Sequence, residues 1–233
     1  MSDSLEGVNE RRLPRLLWIG VPILGLAGPP LARAIDDGFY RSVLRGERGV
    51  IEGGTVLFLV LATIAAISLL VRDAKGTARF PKRWLKGWFV LFALGCIYFG
   101  GEEASWGQHW FGWSTPEALA EANKQQETNL HNLDGIWNAL LDKLPRNLLT
   151  LAALVGGVIG AVVLRKRRRA EGLNFSTVRD WVWPTMVCLP AALGAVLVSV
   201  PEKLFEAADK EVPRVIDISP GETKELMLAC FLC

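Results

Sequence analysis

The chain has 233 residues, of which 51% are hydrophobic and 21% are charged, and its mean hydropathy is +0.27. Long apolar runs alternate with strongly charged stretches, which excludes a soluble globular domain, a disordered chain and a disulfide-stabilised secreted domain. The net charge of +2, without a stripe of Lys and Arg, argues against a nucleic-acid partner.

Five apolar runs approach the roughly 20 residues that a helix needs to cross a bilayer. They predict one integral membrane domain with spans over about residues 16–33, 54–71, 84–101, 148–164 and 181–200. The predicted fold class is therefore an all-α polytopic transmembrane helix bundle that contacts the lipid bilayer. In the fourth span, Gly156, Gly157 and Gly160 would let another helix approach closely, which makes other membrane subunits candidate partners.

Loop charges predict the orientation. The segments that join spans two to three and four to five are basic, whereas residues 102–147 hold three basic and seven acidic residues. Basic loops stay in the cytoplasm. We therefore expect a cytoplasmic N-terminus in a bacterial inner membrane, in agreement with the basic residues before the first span, Arg11, Arg12 and Arg15. A signal peptide with a cleavage site at Ala32-Arg33-Ala34 is an alternative for the first run.

The most unusual polar stretch follows the third span. Two adjacent carboxylates come directly after the apolar run, although a Glu at a helix C-terminus opposes the helix dipole. If the helix continues, Glu102, Ser105 and His109 lie at i, i+3 and i+7 on one face. A carboxylate, a hydroxyl and an imidazole on one stripe suit metal binding, proton relay or activation of a nucleophile. The alternative is that they only cap and solvate the end of the helix.

An amphipathic helix is predicted in the third loop, which we describe as a helical loop over residues 102–147. Its apolar face would carry five residues at helical spacing: Leu130, Leu133, Trp137, Leu140 and Leu144. Its polar face would carry Glu127 and His131 at i and i+4. The helix would lie along the outer membrane surface or over the mouth of the bundle. A merely solvated polar face is the alternative.

These two polar motifs resemble those of a group of uncharacterised bacterial multi-span membrane proteins, which carry Glu-Glu-x-Ser-Trp-Gly-Gln and Glu-Thr-Asn-Leu-His-Asn. Here the motifs are Glu102-Glu-Ala-Ser-Trp-Gly-Gln108 and Glu127-Thr-Asn-Leu-His-Asn132. That resemblance implies a membrane protein but no particular activity. Glu102 and Ser105 also look remotely like the first motif of the alkaline-ceramidase-like membrane hydrolases, which implies a metal-dependent amidase. The family's His pair on a late helix is missing, since no His follows His131.

Three kinds of function remain open. In the first, a metal-dependent hydrolase or transferase acts on lipid or envelope substrates; His109, His131 and Glu102 would bind zinc, and Glu102, Ser105 and Glu127 would be the catalytic candidates. In the second, acidic and His side chains at the bundle mouth serve binding or proton- or cation-linked transport. In the third, the protein is a structural subunit of a membrane complex.

A short apolar segment ends the sequence. The eight residues after Glu225 are all apolar, but a helix of that length reaches only about 12 Å into a membrane core of about 30 Å. We expect a half-span that packs against the bundle, in a chain that lacks the rest of its sixth helix. The alternative is an interfacial tail.

Overall fold

A computed structural model describes residues 13–46 and 49–233. Arg11 and Arg12, which support the predicted orientation, lie outside the described residues. Within that part of the chain the regular structure is helical, apart from one isolated β-bridge between Asn123 and Leu133. This architecture confirms the predicted all-α bundle.

Five helices in the described residues are long and apolar enough to cross a membrane. They are α1 (Leu16–Ile35), α2 (Val50–Ala74), α3 (Trp84–Glu103), α4 (Ile136–Glu171) and α5 (Arg179–Ala207). A shorter helix, α6 (Pro220–Leu232), follows them. The fourth helix begins at Ile136 rather than near residue 148, because the apolar face predicted for the third loop continues into the span without a break.

Prolines and wide turns interrupt several spans. Pro29 and Pro30 lie inside α1, where membrane helices tolerate proline because neighbouring groups satisfy the freed carbonyls. The helix α4 changes to π-helical turns at Ala139–Lys143 and Ala153–Gly160. These local departures from α-helical geometry leave the order of the spans unchanged.

The bundle has two chemically different ends. The basic end contains the loops 75–83 and 172–178, and there the ring of Phe80 packs edge-to-face against Trp181 with centroids 4.9 Å apart. The acidic end contains the loops 104–135 and 208–219. Here Arg33, in the last turn of α1, pairs with Asp217 over 3.0 Å, which joins the end of α1 to the last loop. The loops therefore segregate by charge, as their compositions predict.

The centre of the bundle is α6. Eight of its thirteen residues are buried, among them Met227 and Leu228. Its neighbours approach it through glycines: a Cβ on Gly25 of α1 would lie 2.5 Å from Met227, and one on Gly54 of α2 would lie 3.0 Å from Leu226. At 13 residues the helix is about 20 Å long, shorter than the membrane core. The packing of this segment against the bundle agrees with the prediction, although the helix starts earlier, at Pro220. The half-span itself stays a prediction.

Candidate functional site

The polar motif after α3 does not continue as a helix. The helix α3 ends at Glu103, and Ser105 and Trp106 have φ values of 43° and 54°, in the left-handed region that non-glycine residues seldom adopt. A new short helix, Gln108–Phe111, then carries His109 in a different direction. The predicted stripe of Glu102, Ser105 and His109 on one continuous helix is therefore wrong, and the reversal brings these residues together in another way.

Glu102 is the anchor of this reversal. The residue is only 2% exposed, and its carboxylate accepts a hydrogen bond of 2.7 Å from the indole Nε1 of Trp106. The other oxygen accepts the backbone N–H groups of Leu130 and His131 at 2.6 and 2.8 Å. The Nδ1 atom of His131 lies 3.5 Å from the same oxygen. One buried carboxylate thus fixes the second motif against the end of the first.

A second buried cluster joins the two motifs through Glu127. The hydroxyl of Ser105 donates to Glu127 Oε2 over 2.7 Å, and Asn129 Nδ2 donates to both Ser105 Oγ and Glu127 Oε2. The other oxygen, Oε1, lies 3.3 Å from Nε2 of His109. Ser105 is 2% exposed. The Ser105 oxygen is therefore held between two side chains of the same loop rather than directed toward an open surface.

The segment around Glu127 and His131 is a loop and not the predicted amphipathic helix, which forms only from Ile136 onward. Asparagine side chains compete here with helical backbone bonds. The Oδ1 atom of Asn123 accepts the N–H groups of Gln125 and Glu127, and Asn138 Nδ2 donates to the carbonyl of His131. Glu127 and His131 consequently do not share a helical face.

All five predicted site residues lie in these two clusters. His131 contacts Glu102 in one, and His109 contacts Glu127, beside Ser105, in the other. Zinc takes three or four ligands at about 2.0–2.3 Å. In residues 13–46 and 49–233, no group of three or more His, Cys, Asp or Glu side chains has a placement that could hold a metal ion. Zinc binding by His109, His131 and Glu102 stays a prediction.

Beside the Glu102 cluster lies a cavity that no sequence pattern predicts. Its volume is about 270 Å³, close to the lower end of the range of about 300–1,000 Å³ usual for small-molecule sites. The walls are parts of α3, α4 and α6 together with His131. The lining residues are Phe92, Gly95, Cys96, Tyr98, Phe99, Glu102, Glu103, His131, Leu141, Asp142, Pro145, Arg146, Leu149, Leu228 and Leu232.

Charged side chains gather where this cavity meets the acidic end. Arg146 of α4 forms ion pairs with Asp142, over 2.6 Å, and with Glu225 of α6. Glu103 of α3 lines the cavity close to Glu225. Asp142, Arg146 and Glu225 are not among the site residues predicted from the sequence. A usable signal was present for Asp142 and Arg146, because ionisable residues within a membrane span are functional-site candidates by default.

The fold and the site define a multi-pass membrane protein with two buried Glu–His clusters and a cavity of mixed polarity at one end. No family model, no curated protein and no solved structure matches the chain. The resemblance to the bacterial group with the same two motifs therefore stays a prediction, as does the remote similarity to the alkaline-ceramidase-like hydrolases.

Proposed function

We propose that the protein binds an amphiphilic lipid in the cavity between α3, α4 and α6. The observation that carries this proposal is a gradient of polarity along the cavity. The helices α3 and α4 contribute apolar residues deep in the bundle and charged residues at the acidic end, whereas α6 contributes only apolar residues to the wall. Such a cavity matches a molecule with an apolar chain and a polar head.

The gradient is clearest on α3. Its lining residues include Phe92, Cys96, Phe99 and Glu103, at a spacing that keeps them on one side of the helix. From the first to the last of these the helix rises about 16 Å. A flexible hydrocarbon chain can lie along this wall, with its head near Glu103.

The wall formed by α4 repeats this order. On α4, Leu149 lies deeper than Arg146 and Asp142. On α6, Leu228 lines the cavity, and Glu225, nearer the acidic end, adjoins it through its ion pair with Arg146. This change from apolar to charged surroundings favours one elongated ligand over a small polar solute, which would leave the apolar half of the cavity unfilled.

Access from the bilayer is compatible with the packing. The helix α3 packs mainly against α2, and α4 packs mainly against α5. The cavity lies where α3 and α4 face each other, and the hydroxyl of Tyr98 spans that gap to the carbonyl of Leu141 over 3.3 Å. A lipid would enter sideways between these two helices.

We further propose that the acidic end faces the outside of a bacterial inner membrane, so that the bound lipid belongs to the outer leaflet. Basic loops stay in the cytoplasm. Reporter enzymes fused after Lys82 and after Glu171 should read cytoplasmic, and one inserted within residues 115–123 should read extracytoplasmic. A cytoplasmic signal from the last insertion would reverse the orientation and move the cavity to the inner leaflet.

Filling the cavity should remove the lipid. Gly95 lines it, and a Cβ at this position meets no atom within 4 Å. Gly95→Leu therefore adds a side chain to the space that the lipid would occupy without a backbone collision. We expect the wild-type protein, purified gently in detergent, to retain one lipid class near one molecule per chain, and Gly95→Leu to retain at least about tenfold less, a loss of about 1.4 kcal/mol in binding.

Quantitative mass spectrometry of extracted lipids measures this difference. The matched control is Gly87→Leu, on the same helix, where a Cβ also meets nothing within 4 Å and where the residue does not line the cavity. It should retain the lipid as the wild type does. Equal lipid content in Gly95→Leu and in the wild type would contradict the proposed function.

A further inference from the structure

The charges at the polar end of the cavity indicate which lipids fit. We infer that the ligand has a headgroup that donates hydrogen bonds and carries no negative charge, as a hydroxyl or an amine head does. This inference rests on the proposed lipid-binding function and adds the chemistry of the head.

Carboxyl groups outnumber cations at this end. Glu102, Glu103 and Asp142 line the cavity, and Glu225 adjoins it. Among the described lining residues, Arg146 is the one Lys or Arg. A headgroup at this end is therefore surrounded mainly by carboxyl groups, with Arg146 as the one permanent cation in the lining.

That cation is already engaged. The guanidinium Nη2 of Arg146 pairs with Asp142 over 2.6 Å and also with Glu225. Two carboxylates on one guanidinium leave it with little attraction for a third anion. A phosphate head would have to displace one of these partners, and it would then face the freed carboxylate in a medium where like charges repel strongly.

Carboxyl oxygens are the most numerous polar side-chain atoms in the lining of the cavity. Ionised carboxylates only accept hydrogen bonds, whereas hydroxyl and ammonium groups donate them. The hydroxyl of Tyr98 donates its hydrogen bond to the carbonyl of Leu141. A head with O–H or N–H groups would add donors to this end, and a carboxylate oxygen can accept more than one hydrogen bond. A head with acceptors alone would meet donors that are already paired, and its own polar atoms would stay unpaired in a desolvated site, which lowers affinity.

Three dodecyl probes with different heads test the inference: dodecylglycerol, dodecylamine and dodecyl phosphate. Binding of each radiolabelled probe is measured with the full chain in phosphatidylcholine nanodiscs, with empty nanodiscs as the blank. We expect dodecylglycerol or dodecylamine to bind at least about tenfold more tightly than dodecyl phosphate. Preference for the glycerol head would identify hydroxyl recognition, and preference for the amine head would identify recognition by charge.

Equal or tighter binding of dodecyl phosphate would overturn the headgroup assignment and leave the lipid-binding function standing. Absence of binding above the blank for all three probes would overturn both. The two failures are therefore distinguishable in one experiment.

Two variants test whether the headgroup preference arises in the cavity. Glu103→Gln removes a carboxylate from the wall, and Asp142→Asn removes one partner of Arg146. Each should strengthen dodecyl phosphate binding about fivefold or more relative to dodecylglycerol. Glu117→Gln, an exposed residue of the same acidic end that does not line the cavity, is the matched control and should leave the ratio unchanged. An unchanged ratio in both cavity variants would overturn the inference.

Discussion

Glu102→Ala is expected to lower the free energy of unfolding by about 3–5 kcal/mol, the usual cost of removing one partner from a buried charged network. In the native protein the Glu102 carboxylate accepts hydrogen bonds from Trp106 and from the backbone N–H groups of Leu130 and His131. The substitution leaves these three donors without their acceptor in a buried site. For a chain of this size the loss corresponds to a fall in melting temperature of about 6–20 °C, which thermal unfolding in detergent measures.

Glu117→Ala is the matched control, because Glu117 is exposed in the same loop region and its loss should change the melting temperature by at most a degree or two. Glu102→Gln keeps one oxygen acceptor and should fall between the two. A Glu102→Ala protein as stable as the wild type would show that the carboxylate does not anchor the loop. The catalytic role predicted from the sequence would then become the better explanation for this residue.

Gly157→Val should destabilise the bundle by about 1–3 kcal/mol or prevent its assembly, because the added side chain overpacks a tight contact. A Cβ on Gly157 would lie 2.5 Å from the Cβ of Ala192 in α5 and 2.6 Å from the ring of Phe231 in α6. The Ala192 methyl is fixed to the backbone and cannot rotate away. Size-exclusion chromatography in detergent should show a smaller folded peak, and thermal unfolding should show a lower melting temperature.

Gly87→Val separates this collision from the general effect of valine in a membrane helix, since a Cβ on Gly87 meets no atom within 4 Å. It should elute and melt as the wild type does. Identical behaviour of the two variants would mean that α4, α5 and α6 do not approach each other through Gly157. In the structure Gly157 and Gly160 face other parts of the same chain, and their use in contacts with other membrane subunits stays a prediction.

The spans could be predicted from the sequence because the length of an apolar run follows directly from the order of the residues. In the helix Val50–Ala74, residues 55–71 contain no charged side chain and are long enough to cross most of a membrane core. The early start of α4 was missed for a physical reason. Residues from Ile136 onward have amphipathic spacing, and that spacing is equally compatible with a surface helix and with the first turns of a longer span.

The sequence predicted which residues come together at the site but not how they are arranged. Helical register suggested that Glu102, Ser105 and His109 share a face, but the left-handed backbone at Ser105 and Trp106 breaks that register. The residues still meet, because hydrogen bonds from the second motif to Glu102 and Ser105 close the loop. This closure depends on hydrogen bonds between residues that are far apart in the sequence, and helical periodicity contains no information about such bonds.

The cavity could not be predicted at all. It is a gap between α3 and α4, and α6 forms its rear wall. A local sequence pattern contains no information about a gap between two helices. What the sequence does contain is its charged rim, in which Asp142 and Arg146 stand one helical turn apart and Glu225 precedes an apolar run.

The central place of α6 has a consequence for how the molecule is made. During translation, residues 220–232 leave the ribosome after all five spans, yet Met227 packs against Gly25 of α1 and Gly194 of α5. Each span can enter the lipid independently, because its backbone hydrogen bonds are internal. The final tertiary arrangement must wait for α6, so the nascent protein passes through a stage in which inserted helices surround an unfilled centre. Maturation of this protein is therefore completed only after residues 220–232 have been made, rather than by gradual growth from the N-terminus.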